Sequence, residues 1–155
     1  MTQCKAYISL KKVKWISKKE QFIAHKRELL ESWSWQKMSI NCFRLISFLE
    51  LCYLRCAGED NGHLIATYKQ IEQYGINKRF INKAIKEAEK KGLIKVALND
   101  QIGKWGKFTY NFRLTYLPYA IFEHYPDGDR KCFLPPTNEW KYLKENRSQP
   151  NNNHL

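Results

Sequence analysis

The run TYKQIEQYGINKRFINKAIKEAEKKGLIKV, from Thr67 to Val96, constrains this chain more than any other stretch. Thr67 followed three residues later by Gln70 is a capping-box pattern ahead of Ile71. Gly75 breaks that first helix where a left-handed residue costs least. Asn77 is placed to cap a second, longer helix and Gly92 to end it. Across the turn, Ile71, Tyr74 and Ile76 can meet Ile81, Ala84, Ile85 and Ala88. Two helices joined this way make a helix-turn-helix.

At about 100° per residue, Ile81, Ala84, Ile85 and Ala88 form one apolar stripe on the second helix. The opposite arc collects Arg79, Asn82, Lys83, Lys86 and Lys90. A basic face that includes an Asn suits phosphates and base edges. Arg matches the O6/N7 edge of guanine, and Asn the N6/N7 edge of adenine. An ordinary solvated face would instead lace Lys83, Glu87 and Lys91 into i,i+4 pairs. Lys78 and Arg79 argue against that, because the helix dipole disfavours cations in the first turn. The segment is therefore read as a DNA-recognition helix, with Lys78, Arg79, Asn82, Lys83, Lys86 and Lys90 as its contact residues.

Past Gly92, LIKVAL is strand-like, and NDQIGKWGK has the glycines and polar residues of a loop. In FTYNFRLTY, Phe108, Tyr110, Phe112, Leu114 and Tyr116 alternate with Thr109, Asn111, Arg113 and Thr115. That is a half-buried strand, with Pro118 to stop it. A helix-turn-helix followed at once by a hairpin is the winged-helix arrangement. Its loop tip would present Lys104, Trp105 and Lys107. The lysines would meet phosphates, while Trp105 either packs on the nucleic acid or folds back over the hairpin.

Charge points the same way. Residues 1–19 hold six lysines and no acid, and residues 62–117 hold eleven basic residues against four acidic ones. The net charge of +12 is therefore concentrated on an N-terminal arm and the helix-turn-helix region. Such clustering favours a polyanion. Lys11, Lys12 and Lys14 of the arm are further phosphate contacts.

The remaining chain supports one domain of 155 residues. A helix is expected through His25–Glu31, breaking near Trp33 and Trp35. Ser39 caps the next helix, on which Cys42, Leu45, Ile46, Leu49, Cys52, Tyr53 and Cys56 form a broad apolar stripe. HLIA reads as a short strand that adds to the hairpin. After Pro118 the pattern weakens. A turn at Pro126-Asp127-Gly128 separates two short apolar segments, and Thr137 caps a short helix.

Five cysteines without a CxxC pair, no secretory signal and no run of 18 apolar residues suggest a reduced cytoplasmic protein, nucleoid-associated and away from membranes. Cys52, Cys56 and His63 lack a fourth ligand for zinc, and the cysteines read as buried hydrophobes. His25, His63, His124 and His154 lack any neighbouring nucleophile or carboxylate arrangement that suggests catalysis. No phosphate-binding glycine loop, nucleophile elbow or metal motif occurs. No cofactor, metal or enzymatic activity is expected.

From about Phe22 to Pro118 the chain resembles a family of small bacterial winged-helix proteins. That family includes proteins assigned to DNA binding on chromosomes and mobile elements. The resemblance rests on ESWSWQKMS, the long apolar helix, Asn61-Gly62, Tyr74-Gly75-Ile76, Ala84-Ile85, Gly92-Leu93-Ile94 and Arg113-Leu114-Thr115-Tyr116. It implies fold and DNA binding, and no particular biochemical role.

The expected fold is α+β, mainly α: a winged helix-turn-helix with a three-strand wing and extra N- and C-terminal elements. A basic arm spans 1–19. A winged-helix domain with a helical N-terminal extension spans 20–145, with the helix-turn-helix at 67–91 and the wing at 93–117. A tail expected to be disordered spans 146–155. The expected function is sequence-specific binding of double-stranded DNA in transcription regulation, with a homodimer allowed. The alternatives are replication or partition of a plasmid or phage, and a protein–protein interaction module.

Overall fold

Ser39 starts the longest helix, α3 (Ile40–Arg55), by accepting a hydrogen bond from the Cys42 amide at 3.2 Å. The three-and-four spacing of Cys42, Leu45, Ile46 and Leu49 turns those side chains inward, and each is at most 1% exposed. Burying a leucine- or isoleucine-sized side chain is worth about 1.5–3 kcal/mol, so this stripe anchors the core. Phe48 widens it, Cys52 and Tyr53 are half-buried, and Cys56 is exposed, so the apolar stripe stops one turn short of expectation. The computed structural model describes residues 21–99, 109–124 and 128–143.

Before α3 come two short helices, α1 (Arg27–Leu30) and α2 (Trp33–Gln36), where one helix through Glu31 was expected. Ser32 makes the division. Its hydroxyl donates to the Leu29 carbonyl at 2.7 Å and accepts from the Trp35 amide at 3.2 Å. The two tryptophans then go separate ways. Trp35 packs edge-on against Tyr116 and Phe43, while Lys91 lies over the Trp33 ring at 4.0 Å.

After α3 come β1 (Leu64–Ile65), α4 (Tyr68–Gln73) and α5 (Lys78–Lys90). The Thr67–Gln70 capping box starts α4, and Asn77 Oδ1 accepts from the Arg79 amide to start α5. Both helices end alike. Gly75 (φ 104°) and Gly92 (φ 64°) occupy the left-handed position after the helix. Gly92 N donates to Glu89 O and Leu93 N to Ala88 O, the paired bonds of a Schellman motif. Arg44 of α3 reaches the turn between α4 and α5, donating to the Gly75 carbonyl at 2.9 Å.

Strands β2 (Ile94–Asn99) and β3 (Thr109–Leu114) join β1 in an antiparallel sheet of order β1-β3-β2. Register sets Ile94 opposite Leu114, and both Val96 and Leu64 opposite Phe112. With the period of two, that face meets the helices, and Leu64, Ile94, Phe112 and Leu114 are at most 2% exposed. Lys95, Ala97, Asn111 and Arg113 fall on the other face.

Strand β3 ends at Leu114, before Pro118 could stop it. The buried side chain of Asn61 turns the chain there. Its Nδ2 faces the carbonyls of Leu114, Leu117 and Pro118, and its Oδ1 accepts from the Leu114 amide at 2.7 Å. Thr115 completes the corner, its hydroxyl donating to Gly92 O at 2.6 Å.

The apolar segments around the predicted Pro126-Asp127-Gly128 turn form a second antiparallel sheet, β4 (Tyr119–Glu123) with β5 (Arg130–Leu134). Among the described residues, five α-helices and two antiparallel sheets make a mixed α+β structure, not clearly mainly α as expected. A 3-10 helix, Glu139–Tyr142, follows, shorter than expected and not capped by Thr137. Asn138, in the left-handed region at φ 50°, precedes it instead and accepts from Trp140 Nε1 at 3.3 Å. Glu139 then pairs with Lys95 at 3.0 Å and Arg113 at 3.3 Å across β2 and β3.

Candidate nucleic-acid interface

Helix α5 buries Ile81, Ala84, Ile85 and Ala88 against α3 and α4, which fixes what its opposite face presents. Lys78, Arg79, Asn82, Lys83, Lys86 and Lys90 are all exposed on that outward arc. No acidic residue occupies the first turn. Among the described residues, none of these five cations enters an ion pair.

Part of the reason lies in where Glu87 goes, although Glu89 stays exposed on the helix. A Lys83–Glu87–Lys91 ladder would have neutralised part of the face, and it does not form. Glu87 turns instead to the start of α3, accepting from Ser39 N at 2.8 Å and Ser39 Oγ at 2.6 Å. Lys91 is 6% exposed, its ammonium over Trp33. The lysines left on the outer arc keep their field, which is what attracts a polyanion.

Arg79 and Asn82 stand one turn apart near the start of α5. The Arg79 guanidinium leans over the Phe80 ring at 4.6 Å. Asn82 is not merely solvated: its Oδ1 accepts a hydrogen bond from the Tyr68 hydroxyl, at the first residue of α4. Burial raises the Tyr68 pKa, and the neighbouring Tyr110 hydroxyl adds to this. Tyr68 therefore stays a protonated donor at neutral pH. Sequence reasoning missed this residue, because nothing local links the start of one helix to a side chain fourteen residues on.

Lys104, Trp105 and Lys107, expected at a wing tip, and Lys11, Lys12 and Lys14, expected in a basic arm, lie outside the described residues. Two histidines have carboxylate partners in the fold. His25 Nε2 meets Glu50 at 2.6 Å, and His124 meets Asp129. Glu50 also accepts from the Tyr116 hydroxyl at 2.6 Å. With Trp35 against both His25 and Tyr116, this cluster fastens the segment before α1 to the core. Cys52, Cys56 and His63 do not converge, and no group of three metal-ligating side chains occurs among the described residues.

A recess of about 360 Å³ lies between the outer sheet face and β4, lined by His63, Lys95, Asn111, Arg113 and Tyr119. Its two cations are already held by Glu139, so its field is weaker than that of α5. Among the described residues no helix is long and apolar enough to cross a membrane. Compared with models of known families, with curated proteins and with solved structures, the chain has no significant match.

Proposed function

We propose that this chain is a winged helix-turn-helix protein that binds double-stranded DNA, with α5 in the major groove, and serves in transcription regulation. The element order α3, β1, α4, α5, β2, β3 and the sheet order β1-β3-β2 support the fold reading. The observation that carries the functional reading is the outward arc of α5, where five exposed cations form no ion pair among the described residues and Glu87 is drawn away to Ser39. An apolar arc would have favoured a protein partner instead, and none of its exposed residues is apolar. Such a protein would work in the bacterial cytoplasm, at the nucleoid.

Titration of a labelled duplex across a salt series tests the reading. Roughly five to eight phosphate contacts from helix, wing and arm predict that log affinity falls with log salt at about −0.9 per contact. No binding at about 50 mM salt, or a slope near zero, would overturn it.

A further inference from the structure

The hydrogen bond between Tyr68 and Asn82 decides which edge of the Asn82 amide faces outward. An unrestrained asparagine on a recognition helix can present oxygen and nitrogen together, the pair that matches adenine N6 and N7. Here the oxygen is turned back to a phenolic hydroxyl, which donates to it. The amide nitrogen, with two donor hydrogens, has no partner among the described residues and is left for the solvent side. The anchor itself is fixed: Tyr68 is half-buried beside Tyr110 of β3, and the Thr67–Gln70 capping box locks the turn that carries it.

We infer that Tyr68 is a positioning residue that makes Asn82 a donor-only reader, so that the base beneath it is guanine rather than adenine. Guanine offers two acceptors, O6 and N7, in the major groove, whereas adenine sets a donor beside its one acceptor. With Arg79 suited to guanine as well, α5 reads two guanines, one or two base pairs apart on the spacing of one helical turn. This assignment rests on the DNA-binding reading and narrows it to a class of site.

Selection from a random-sequence duplex library, run with wild type, Asn82→Ala and Tyr68→Phe, tests it. Tyr68→Phe keeps the ring and removes only the hydroxyl, and melting temperatures check that each variant folds. Wild type should enrich guanine at the position whose preference Asn82→Ala erases. Tyr68→Phe should lower guanine at that position about fivefold or more and raise adenine, because the freed amide can pair with both N6 and N7. Its affinity for a mixed-sequence duplex and its salt slope should not change. Retained DNA binding with an unchanged base profile in Tyr68→Phe, or adenine enriched by wild type, overturns the inference and leaves the DNA-binding reading standing. Absence of duplex binding by wild type overturns both. A free-protein measurement stands beside these. The Asn82 side-chain amide resonances should move in Tyr68→Phe, and their remaining in place also overturns the inference.

Discussion

Asn61 is the polar residue on which the corner between β3 and β4 depends. Burial of an amide is tolerated because every polar atom it carries finds backbone: three carbonyls for Nδ2, and the Leu114 amide for Oδ1. Asn61→Ala would strand those groups away from water, and buried unsatisfied groups cost about 1–3 kcal/mol each. A loss on the order of 3 kcal/mol in urea denaturation is expected, with little change in duplex affinity per folded molecule. Cys42 gives a second residue-scale test. Burial, helped by the Glu87 carboxylate and opposed by Lys91, pushes its thiol up to about 12. An unfolded thiol titrates near about 8.5. Between those values the unfolded chain sheds a proton that the folded chain keeps, so stability is full below the lower value and falls as pH rises. The slope from this group is at most about 1.4 kcal/mol per pH unit. Cys42→Ala should flatten the stability profile above about pH 8.5; an unchanged slope between pH 8 and 10 would contradict the assignment.

The helices show how one motif can carry different loads. Gly75 and Gly92 end α4 and α5 in the same left-handed conformation, so a Cβ at either should cost about 1–2 kcal/mol from backbone sterics alone. Nothing lies within 4 Å of a Cβ built on Gly75. One built on Gly92 would fall 2.8 Å from Trp140 N and 2.9 Å from the Glu139 carbonyl carbon. Those are backbone atoms of the 3-10 helix, which cannot swing away as a side-chain tip can. Gly92→Ala should therefore lower the melting temperature clearly more than Gly75→Ala. Equal effects would mean that the 3-10 helix does not press on α5's end in solution. The glycine after α5 thus serves two purposes, and only the first is local.

Across the whole molecule, the net charge of +12 acts through its placement. Lys83, Lys86 and Lys90 are exposed and unpaired among the described residues, and phosphate contacts position without specifying. Lys86→Ala should weaken binding to all duplexes by similar factors and reduce the salt slope by about one. A change in preferred sequence on that substitution would show instead that Lys86 reaches a base edge. On the proposed reading, base preference is expected from Arg79 and Asn82, and uniform affinity from the lysines.

What the sequence determined by itself is the set of features whose partners lie within a few residues. The Ser39, Thr67 and Asn77 caps, the glycine stops, the stripe of α5 and the alternation from Tyr110 to Leu114 all follow from backbone geometry acting over one turn or one pleat. The outward arc of α5 was legible for that reason. Helical periodicity assigns each residue a face, and the apolar residues decide which face is buried. Local signals failed where a distant group competed for the same atom. No local pattern set Glu87 against Ser39; β3 had the alternation to run on and was ended by Asn61; His25 found Glu50, 25 residues away. The second sheet lacked a strong enough period to be placed. Only the tertiary structure brought Tyr68 to Asn82, because a hydrogen bond between two helices depends on the angle at which they pack. That angle is set by the sum of many buried contacts across α3, α4 and α5, and no single stretch of the chain contains it.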